Sequence, residues 1–186
     1  HSTTKYMDGH GAAVGGCIVD SGNFDWLANA EKFPGLCTPD MSYHGITYAT
    51  KFGQGGAFIT KATAQLMRDF GCTQSPQSAF YLNLGLEILH VRMERHCLNA
   101  QKVAEYLESD ERISWVNYPG LQSNKYYDLA QKYLPKGSCG VVSFGVKGGR
   151  EMAEKFMGNL KIAAIETHVA DARTCCLHPA SATHRQ

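Results

Sequence analysis

One long apolar stripe constrains the fold of this 186-residue chain more than any other feature. Its members recur in steps of three or four, which is the spacing of one buried helix face, at Leu82, Leu86, Leu89, Met93, Cys97, Ala100, Ala104 and Leu107. Ser75 and Pro76 before it suit an N-cap and a first helical position. We predict one bent helix or two abutting helices, with the break near His96. So regular a stripe indicates packing rather than a cofactor site.

The segments on both sides of this stripe alternate between strand-like and helix-like patterns. After it, the sequence predicts strands and helices in turn, with strands over residues 113–118, 139–146 and 162–169 and helices over residues 125–133 and 149–159. Before it, residues 12–19 are typical of a buried strand, residues 52–60 indicate a second strand, and residues 61–70 indicate a helix. Because strands and helices alternate, we expect an α/β fold.

Composition and charge exclude several classes of protein. The chain is 44% hydrophobic and 19% charged, which is typical of globular proteins. Its formal net charge of +1, without a block of like charges, predicts neither a nucleic-acid partner nor an acidic membrane surface. No apolar run approaches the length of a membrane span. The seven scattered cysteines do not form a disulfide framework, and we therefore expect a reducing, cytoplasmic setting.

The most suggestive chemistry lies in the first five residues, where Ser2 and Thr4 precede Lys5. In an extended segment the two hydroxyls point to one side and the amine to the other. A turn just after Lys5, for which Gly9 and Gly11 supply backbone freedom, would bring all three to one ligand. Hydroxyls can donate to phosphate oxygens and an amine condenses with a carbonyl, so the group suits a phosphorylated aldehyde. The spacing alone is equally typical of a solvated strand end.

Four segments in the same order along the chain resemble the Cys/Met-metabolism family of enzymes that depend on pyridoxal 5'-phosphate (PLP). They are His1-Ser2-Thr3-Thr4-Lys5-Tyr6 with Gly9-His10-Gly11 and Gly15-Gly16, Arg92-Met93-Glu94-Arg95-His96-Cys97 with Asn99-Ala100, Val116-Asn117-Tyr118-Pro119-Gly120-Leu121, and His178-Pro179-Ala180-Ser181 with Thr183-His184. The resemblance spans nearly the whole chain. It implies an α/β fold of the type I PLP-dependent transferases, which is the aspartate-aminotransferase type.

The resemblance also implies how the chain is organised. Residues 1–75 would be the later half of the large PLP-binding domain, residues 76–100 a long connecting helix, and residues 101–186 an incomplete small C-terminal α/β domain. The family's phosphate-binding, ring-stacking and ring-nitrogen residues would precede Lys5, and its carboxylate-binding arginine would follow Gln186. We therefore expect part of a longer polypeptide, whose remainder completes the site. Assembly as a homotetramer of dimers is implied by the family.

Residues 22–45 narrow the resemblance to the O-acetylhomoserine sulfhydrylases. Their segments Gly22-Asn23-Phe24-Asp25-Trp26, Lys32-Phe33-Pro34-Gly35, Pro39-Asp40 and Ser42-Tyr43-His44-Gly45 are similar to that group. A surface loop is the plain structural interpretation, but loops diverge faster than cores and so distinguish subfamilies. Four aromatic residues are too many for a freely solvated loop. We therefore expect a folded excursion in which residues 23–26 are partly buried.

The resemblance assigns roles to individual residues. Lys5 would bind PLP covalently as a Schiff base and then shuttle protons, while the Ser2 and Thr4 hydroxyls face the phosphate. Acetate would leave the γ-carbon of O-acetylhomoserine, and sulfide, a small thiol or a sulfur carrier would add to give homocysteine in methionine biosynthesis. His168 stands where many family members carry serine and the sulfhydrylases often carry asparagine, so it is a candidate substrate contact or a structural histidine.

Two alternatives remain open from the sequence. A cystathionine γ-synthase, or a methionine or cystathionine γ-lyase, would have the same fold and the same lysine. A non-catalytic metal module is the second alternative, because Cys175, Cys176, His178 and His184 cluster in the sequence. Their spacing does not match the usual paired zinc ligands, and we therefore expect no metal site.

Overall fold

The computed structural model describes residues 1–184. The chain divides into two compact units. The first contains His1 and Gly16–Pro76, and the second contains Ser2–Gly15 and the chain from Gln77 onwards. None of the helices within residues 1–184 combines the length and apolar character that a membrane crossing requires.

The first unit is mainly helical. A four-residue helix α1 (Pro34–Cys37) precedes α2 (Tyr48–Lys61), and a π-helical segment (Ala62–Met67) continues into the short α3 (Arg68–Phe70). Single turns of 3₁₀ helix cover Leu27–Asn29 and Met41–Tyr43. Within α2, Gly53 has a φ of 67°, which glycine adopts without strain and which kinks the helix.

The core of the first unit lies between α1 and α2. It consists of buried side chains at Leu36, Tyr48, Ala49 and Ala57. Half-buried Trp26, Cys37 and Tyr43 pack against them. The Trp26 indole nitrogen donates to the carbonyl of Gln54 at 3.2 Å. The aromatic excursion predicted from residues 22–45 therefore does pack within its own unit, although Trp26 alone of residues 23–26 is half-buried and the other three are exposed.

The second unit is built around two consecutive helices, α4 (Pro76–Glu87) and α5 (Leu89–Ser109). Strand β1 (Ile113–Asn117) follows, then α6 (Tyr127–Tyr133), β2 (Ser143–Val146), α7 (Gly149–Gly158), β3 (Ala164–Ile165) and β4 (Cys175–Cys176). Strands β1 and β2 are antiparallel, and the two-residue strands β3 and β4 are parallel. Ala100, Ala104, Tyr118 and Leu121 form the buried core between α5 and the turn after β1.

The predicted apolar stripe lies on one helical face, and its burial increases along the chain. Ala100, Ala104 and Leu107 are buried, and the preceding members are half-buried except for Leu86, which is exposed. The predicted break near His96 is wrong. Ile88, with φ −110° and ψ 8°, separates α4 from α5; it is β-branched and so favours the helix less than leucine does.

Two predicted strands in the first part of the chain are wrong. Residues 52–60 lie inside α2, because packing of its apolar face outweighs the low helix propensity of its glycines. Residues 12–19 form no regular strand, and Val14 is 85% exposed. Their backbone makes isolated hydrogen bonds, such as Thr3 N–H to Gly15 O at 3.0 Å, instead of the continuous ladder that a strand requires. The predicted strand over residues 162–169 is shortened to β3.

Candidate active site

Lys5 lies in a tight turn formed by residues 3–9, which we call the lysine turn. The amide of Asp8 donates to the carbonyl of Thr3 at 3.0 Å, and the amide of Gly9 donates to the carbonyl of Lys5 at 2.7 Å. Lys5 is half-buried, and among residues 1–184 its amine forms no ion pair. The turn therefore presents an amine that no described carboxylate neutralises.

Glycines stand at the end of the lysine turn and just after it, where the sequence analysis expects backbone freedom. Gly9 has φ 74° and Gly11 has φ 63°, in the left-handed region that disfavours side chains. Gly9 has a second constraint, since a Cβ there would lie 2.1 Å from the Nη1 atom of Arg92. A side chain at Gly9 is therefore disfavoured by its backbone conformation, and it would also displace the guanidinium of Arg92.

Asp8 organises the backbone that follows the lysine turn. Its side chain is 1% exposed, and its Oδ2 atom accepts from the amides of Ala12 at 2.9 Å and His10 at 3.3 Å. Its Oδ1 atom is buried without a hydrogen-bond partner among the described residues. A buried carboxylate requires compensation, and the nearby positive charge that interacts with it is the guanidinium of Arg92.

Side chains of α5 contact the lysine turn at two neighbouring residues, Met7 and Tyr6. Arg92 donates through Nη2 to the carbonyls of Gly85 at 2.8 Å and Met7 at 3.4 Å. One helical turn later, the His96 ring packs edge-on against Tyr6, with ring centroids 5.4 Å apart. Burial, and then the charge of Arg92, lower the pKa of His96. The neutral imidazole is therefore favoured beside the tyrosine.

The loop between β3 and β4 also meets the lysine turn. The amide of Ala172 donates to the carbonyl of Gly9 at 2.8 Å. A Cβ at Gly11 would lie 3.3 Å from Oδ2 of Asp171 and 3.6 Å from Nε2 of His168. The structure therefore places His168 beside the end of the lysine turn, and its Nε2 atom is buried without a partner among the described residues.

Asp171 is held as an anion at this place. Its side chain is 3% exposed and forms two hydrogen bonds with the guanidinium of Arg173, at 3.1 and 2.9 Å. These bonds, more than any other interaction, lower the pKa of Asp171 to about 2. The loop therefore brings one buried, paired carboxylate to within reach of His168.

The two predicted phosphate-binding hydroxyls have different surroundings. The Thr4 hydroxyl accepts from the amide of Gly15 at 3.0 Å and donates to the carbonyl of Gly15 at 3.3 Å. Ser2 is exposed, and its hydroxyl forms no hydrogen bond within residues 1–184. A threonine hydroxyl has one proton, so Thr4 could donate to a phosphate only by giving up the longer of its two bonds.

The lysine turn fits a covalently bound PLP. Covalent attachment needs a lysine amine that is not committed to a carboxylate, and half-buried Lys5, which forms no ion pair within residues 1–184, meets this condition. The exposed hydroxyl of Ser2, three residues earlier in the chain, offers a donor suited to phosphate. Residues 1–184 contain no group of three or more histidine, cysteine or acidic side chains that could hold a metal ion.

The sequence patterns did not identify two acidic residues of this region, Asp8 and Asp171. Asp8 precedes a glycine, which is typical of a turn, and Asp171 stands two residues before Arg173, which is typical of a surface ion pair. Only the fold shows that both carboxylates are buried, Asp8 within the lysine turn and Asp171 near Gly11, which follows it.

The model of one protein family matches the entire sequence, residues 1–186: the Cys/Met metabolism PLP-dependent enzymes. The chain belongs to this family. As a member, it shares the family's dependence on PLP and the fold of the PLP-dependent transferases of type I. The resemblance found in the four sequence segments is thereby confirmed.

Relatives within the Cys/Met metabolism family match the chain throughout. It is 45% identical over 194 aligned positions to the O-acetyl-L-homoserine sulfhydrylase of Leptospira meyeri and 44% identical over 186 to the homocysteine synthase of Schizosaccharomyces pombe. In both cases the match covers 100% of this chain and 43% of the relative. The chain therefore spans about two fifths of the length of these curated relatives.

A solved structure agrees with this assignment. The crystal structure described as an O-acetylhomoserine (thiol)-lyase from Campylobacter jejuni, which contains a pyridoxyl-lysine phosphate, superposes with a TM-score of 0.84 at 34% identity. The superposition covers 100% of this family member and 44% of the solved chain. The chain therefore has the same fold as the matching part of this solved structure.

Proposed function

We propose that the protein containing this chain catalyses PLP-dependent γ-replacement, in which sulfide or a small thiol displaces acetate from O-acetylhomoserine and gives homocysteine. The observation that carries the proposal is the similarity of the entire chain to the sulfhydrylase and the homocysteine synthase at 44–45% identity. The lysine turn supports it, because it presents an unpaired amine in a constrained backbone. The proposed reaction belongs to methionine biosynthesis.

Lys5 is the proposed catalytic residue. Its Nζ atom would hold PLP covalently, be released when the amino group of the substrate takes its place, and then carry a proton from the α-carbon and later from the β-carbon. The bound cofactor would supply the electron sink that makes these protons acidic. The tight hydrogen bonds of residues 3–9 support this role, because proton transfer requires a base held at a fixed position.

Ser2 and Thr4 are the proposed phosphate contacts on this chain. The Ser2 hydroxyl is exposed and forms no hydrogen bond within residues 1–184, so it is available as a donor. Thr4 would exchange its 3.3 Å bond to the carbonyl of Gly15 for a bond to a phosphate oxygen. A charged acceptor forms a stronger hydrogen bond than a neutral carbonyl, which favours this exchange. Other phosphate contacts would come from the remaining part of the same polypeptide.

His168 is a proposed substrate contact. Its support is the buried Nε2 atom, which has no partner among residues 1–184 and lies near Gly11, two residues after the lysine turn. A buried polar atom without a partner is costly, so a ligand that accepts or donates there would stabilise it. The expected effect of His168→Ala is a higher KM for O-acetylhomoserine and a smaller change in kcat.

We propose the domain organisation implied by the family resemblance. Residues 1–75 would complete the large PLP-binding domain, residues 76–100 would connect it, and residues 101–186 would belong to the small domain. A homotetramer of dimers is the proposed assembly. A cytoplasmic setting is proposed because all seven cysteines are free, which suits a reducing compartment.

Competition between nucleophiles tests the proposed reaction. The protein is given saturating O-acetylhomoserine with sulfide and cysteine together, and the products are separated by chromatography. Predominant homocysteine supports the sulfhydrylase assignment, whereas predominant cystathionine would replace it with γ-synthase activity. Lys5→Arg should give neither product, and Lys102→Arg, at an exposed position of α5, should behave as the wild type.

A further inference from the structure

Gly85 on α4 lets the lysine turn come into direct contact with this helix. It is buried, and a Cβ at this position would lie 2.5 Å from the carbonyl oxygen of Met7 and 2.3 Å from that of Asp8. Both distances are well below a van der Waals contact. The backbone of the lysine turn therefore lies against the surface of α4 with no room for even one methyl group.

Arg92, in the first turn of α5, joins these two backbones. Its Nη2 atom donates to the carbonyl of Gly85 at 2.8 Å and to that of Met7 at 3.4 Å. The guanidinium also fills the space over Gly9, where a Cβ would lie 2.1 Å from Nη1. One side chain therefore contacts the lysine turn at Met7 and Gly9, two and four residues after Lys5.

The guanidinium of Arg92 is partly buried, and the carboxylate of Asp8 favours its charged form. Its Nε and Nη1 atoms are buried without partners among the described residues. Burial lowers the pKa of Arg92, and the carboxylate of Asp8 opposes that effect. Its hydrogen bonds within the described residues go to backbone carbonyls, where the planar, multiply donating guanidinium serves better than a single ammonium group.

We propose that Arg92 is a positioning residue for Lys5. Acting through the carbonyl of Met7 and the backbone of Gly9, it fixes the lysine turn against α4 and thereby sets where the lysine amine lies. The inference rests on the proposed role of Lys5 as the site of covalent PLP attachment. It predicts that Arg92 affects the reactivity of Lys5 without touching the substrate.

The test uses the cofactor-loaded protein with Arg92→Ala and Arg92→Lys. Borohydride reduction followed by peptide mass mapping measures the fraction of Lys5 fixed to the cofactor, and steady-state kinetics separates kcat from KM. We expect Arg92→Ala to lower the fixed fraction and to lower kcat by up to about 100-fold, as displacement of a catalytic group by about 1 Å does, with little change in KM. Arg92→Lys should recover part of both.

Arg95→Ala is the matched control, because Arg95 is an exposed arginine on the same helix. It should leave the fixed fraction and kcat at wild-type values. If Arg92→Ala does not fold, Arg92→Lys decides. The proposal would be overturned if the folded Arg92 variants had the same fraction of Lys5 fixed to the cofactor and the same kcat as the wild type. A loss of thermal stability alone, with both of these quantities unchanged, would also overturn it.

Gly85→Ala tests the same contact from the other side. The added methyl group should push the lysine turn away from α4 and lower the fixed fraction of Lys5, whereas Gly158→Ala, with open space around its Cβ, should not. Because both changes act on one contact, the effects of Gly85→Ala and Arg92→Ala should be less than additive. Full additivity would contradict a shared role.

The fixation measurement separates this proposal from the proposed reaction. If Lys5 is fixed to the cofactor in the wild type but no homocysteine forms, the proposed reaction is refuted. The fixed fraction in the Arg92 variants would still decide the positioning role of Arg92. Homocysteine formed equally by the wild type and the Arg92 variants would refute the positioning role and leave the reaction in place.

Discussion

The hydroxyl oxygen of Tyr6 accepts a hydrogen bond from the amide of Gly140 at 2.9 Å, across 134 residues of sequence. Tyr6 follows Lys5 directly, and burial is the main cause of its raised pKa. The ring of Tyr6 also packs against His96. This contact ties the residue next to the candidate catalytic lysine to the segment that leads into β2.

Tyr6→Phe should destabilise the chain by about 1–3 kcal/mol, because the Gly140 amide would lose its acceptor in a partly buried place. The aromatic contact with His96 should survive, since phenylalanine keeps the ring. Urea unfolding measures the change. Tyr133→Phe, at a tyrosine 67% exposed, is the control and should change the free energy of unfolding little.

Lys5→Arg should abolish covalent attachment of PLP, because a guanidinium stays protonated and does not condense with the aldehyde. The expected readout is the absence of a pyridoxyl group on the peptide with residue 5 after borohydride reduction. The same experiment on the wild type should give that peptide in modified form. Modification at another lysine of the wild type would move the cofactor site away from the lysine turn.

The sequence predicts those parts of the fold that depend on local patterns. The stripe from Leu82 to Leu107 predicts α4 and α5, because helix burial repeats every three or four residues. It places the break wrongly, because the backbone at Ile88 leaves the helix without a proline or glycine to mark the position. Residues 52–60 mislead because glycines suggest a strand or loop, while tertiary packing of Tyr48 and Ala57 selects the helix.

In the candidate site, too, the sequence predicts the features that depend on local patterns and misses those that depend on distant contacts. The turn after Lys5 follows from Gly9 and Gly11, whose positive φ values are a local property. The contact between Met7 and Arg92 joins residues 85 positions apart and has no local signal. Burial of Asp8 likewise depends on a helix far along the chain. Single-sequence patterns therefore predict the turn but not the side chains that hold it.

Trp26→Ala should destabilise the first unit by about 3 kcal/mol, near the low end for a large aromatic residue because Trp26 is only half-buried. The indole packs against Phe24, Phe33 and Phe58, with ring centroids 4.6, 5.2 and 5.9 Å away. Near-ultraviolet circular dichroism with urea unfolding measures the loss. Phe70→Ala, at a position 77% exposed, should have little effect.

Trp26→Phe separates packing from hydrogen bonding at the same position. It keeps an aromatic ring and removes the indole N–H that donates to the carbonyl of Gln54. We expect a loss of about 1 kcal/mol, which is typical of one hydrogen bond. A loss as large as that of Trp26→Ala would mean that the hydrogen bond, rather than the ring contacts, holds residues 22–45 in place.

Stability should fall as the pH decreases from 7.5 to 5, and His96 should contribute to the fall. Its pKa in the folded chain is lowered by burial and by Arg92, while Asp171 opposes these effects and Tyr6 covers the ring. A histidine whose folded pKa lies below its unfolded value of about 6.5 binds fewer protons when folded. Its contribution is therefore complete above that unfolded value and is lost as the pH falls toward the folded pKa.

Replacement of His96 by glutamine should make this pH dependence shallower. The variant has no ionisable group at position 96, so its urea midpoint should change less between pH 7.5 and pH 5 than that of the wild type. His90→Gln, at an exposed position of the same helix, should keep the wild-type slope. Equal slopes in the wild type and His96→Gln would show that protonation of His96 does not contribute to the loss of stability between pH 7.5 and pH 5.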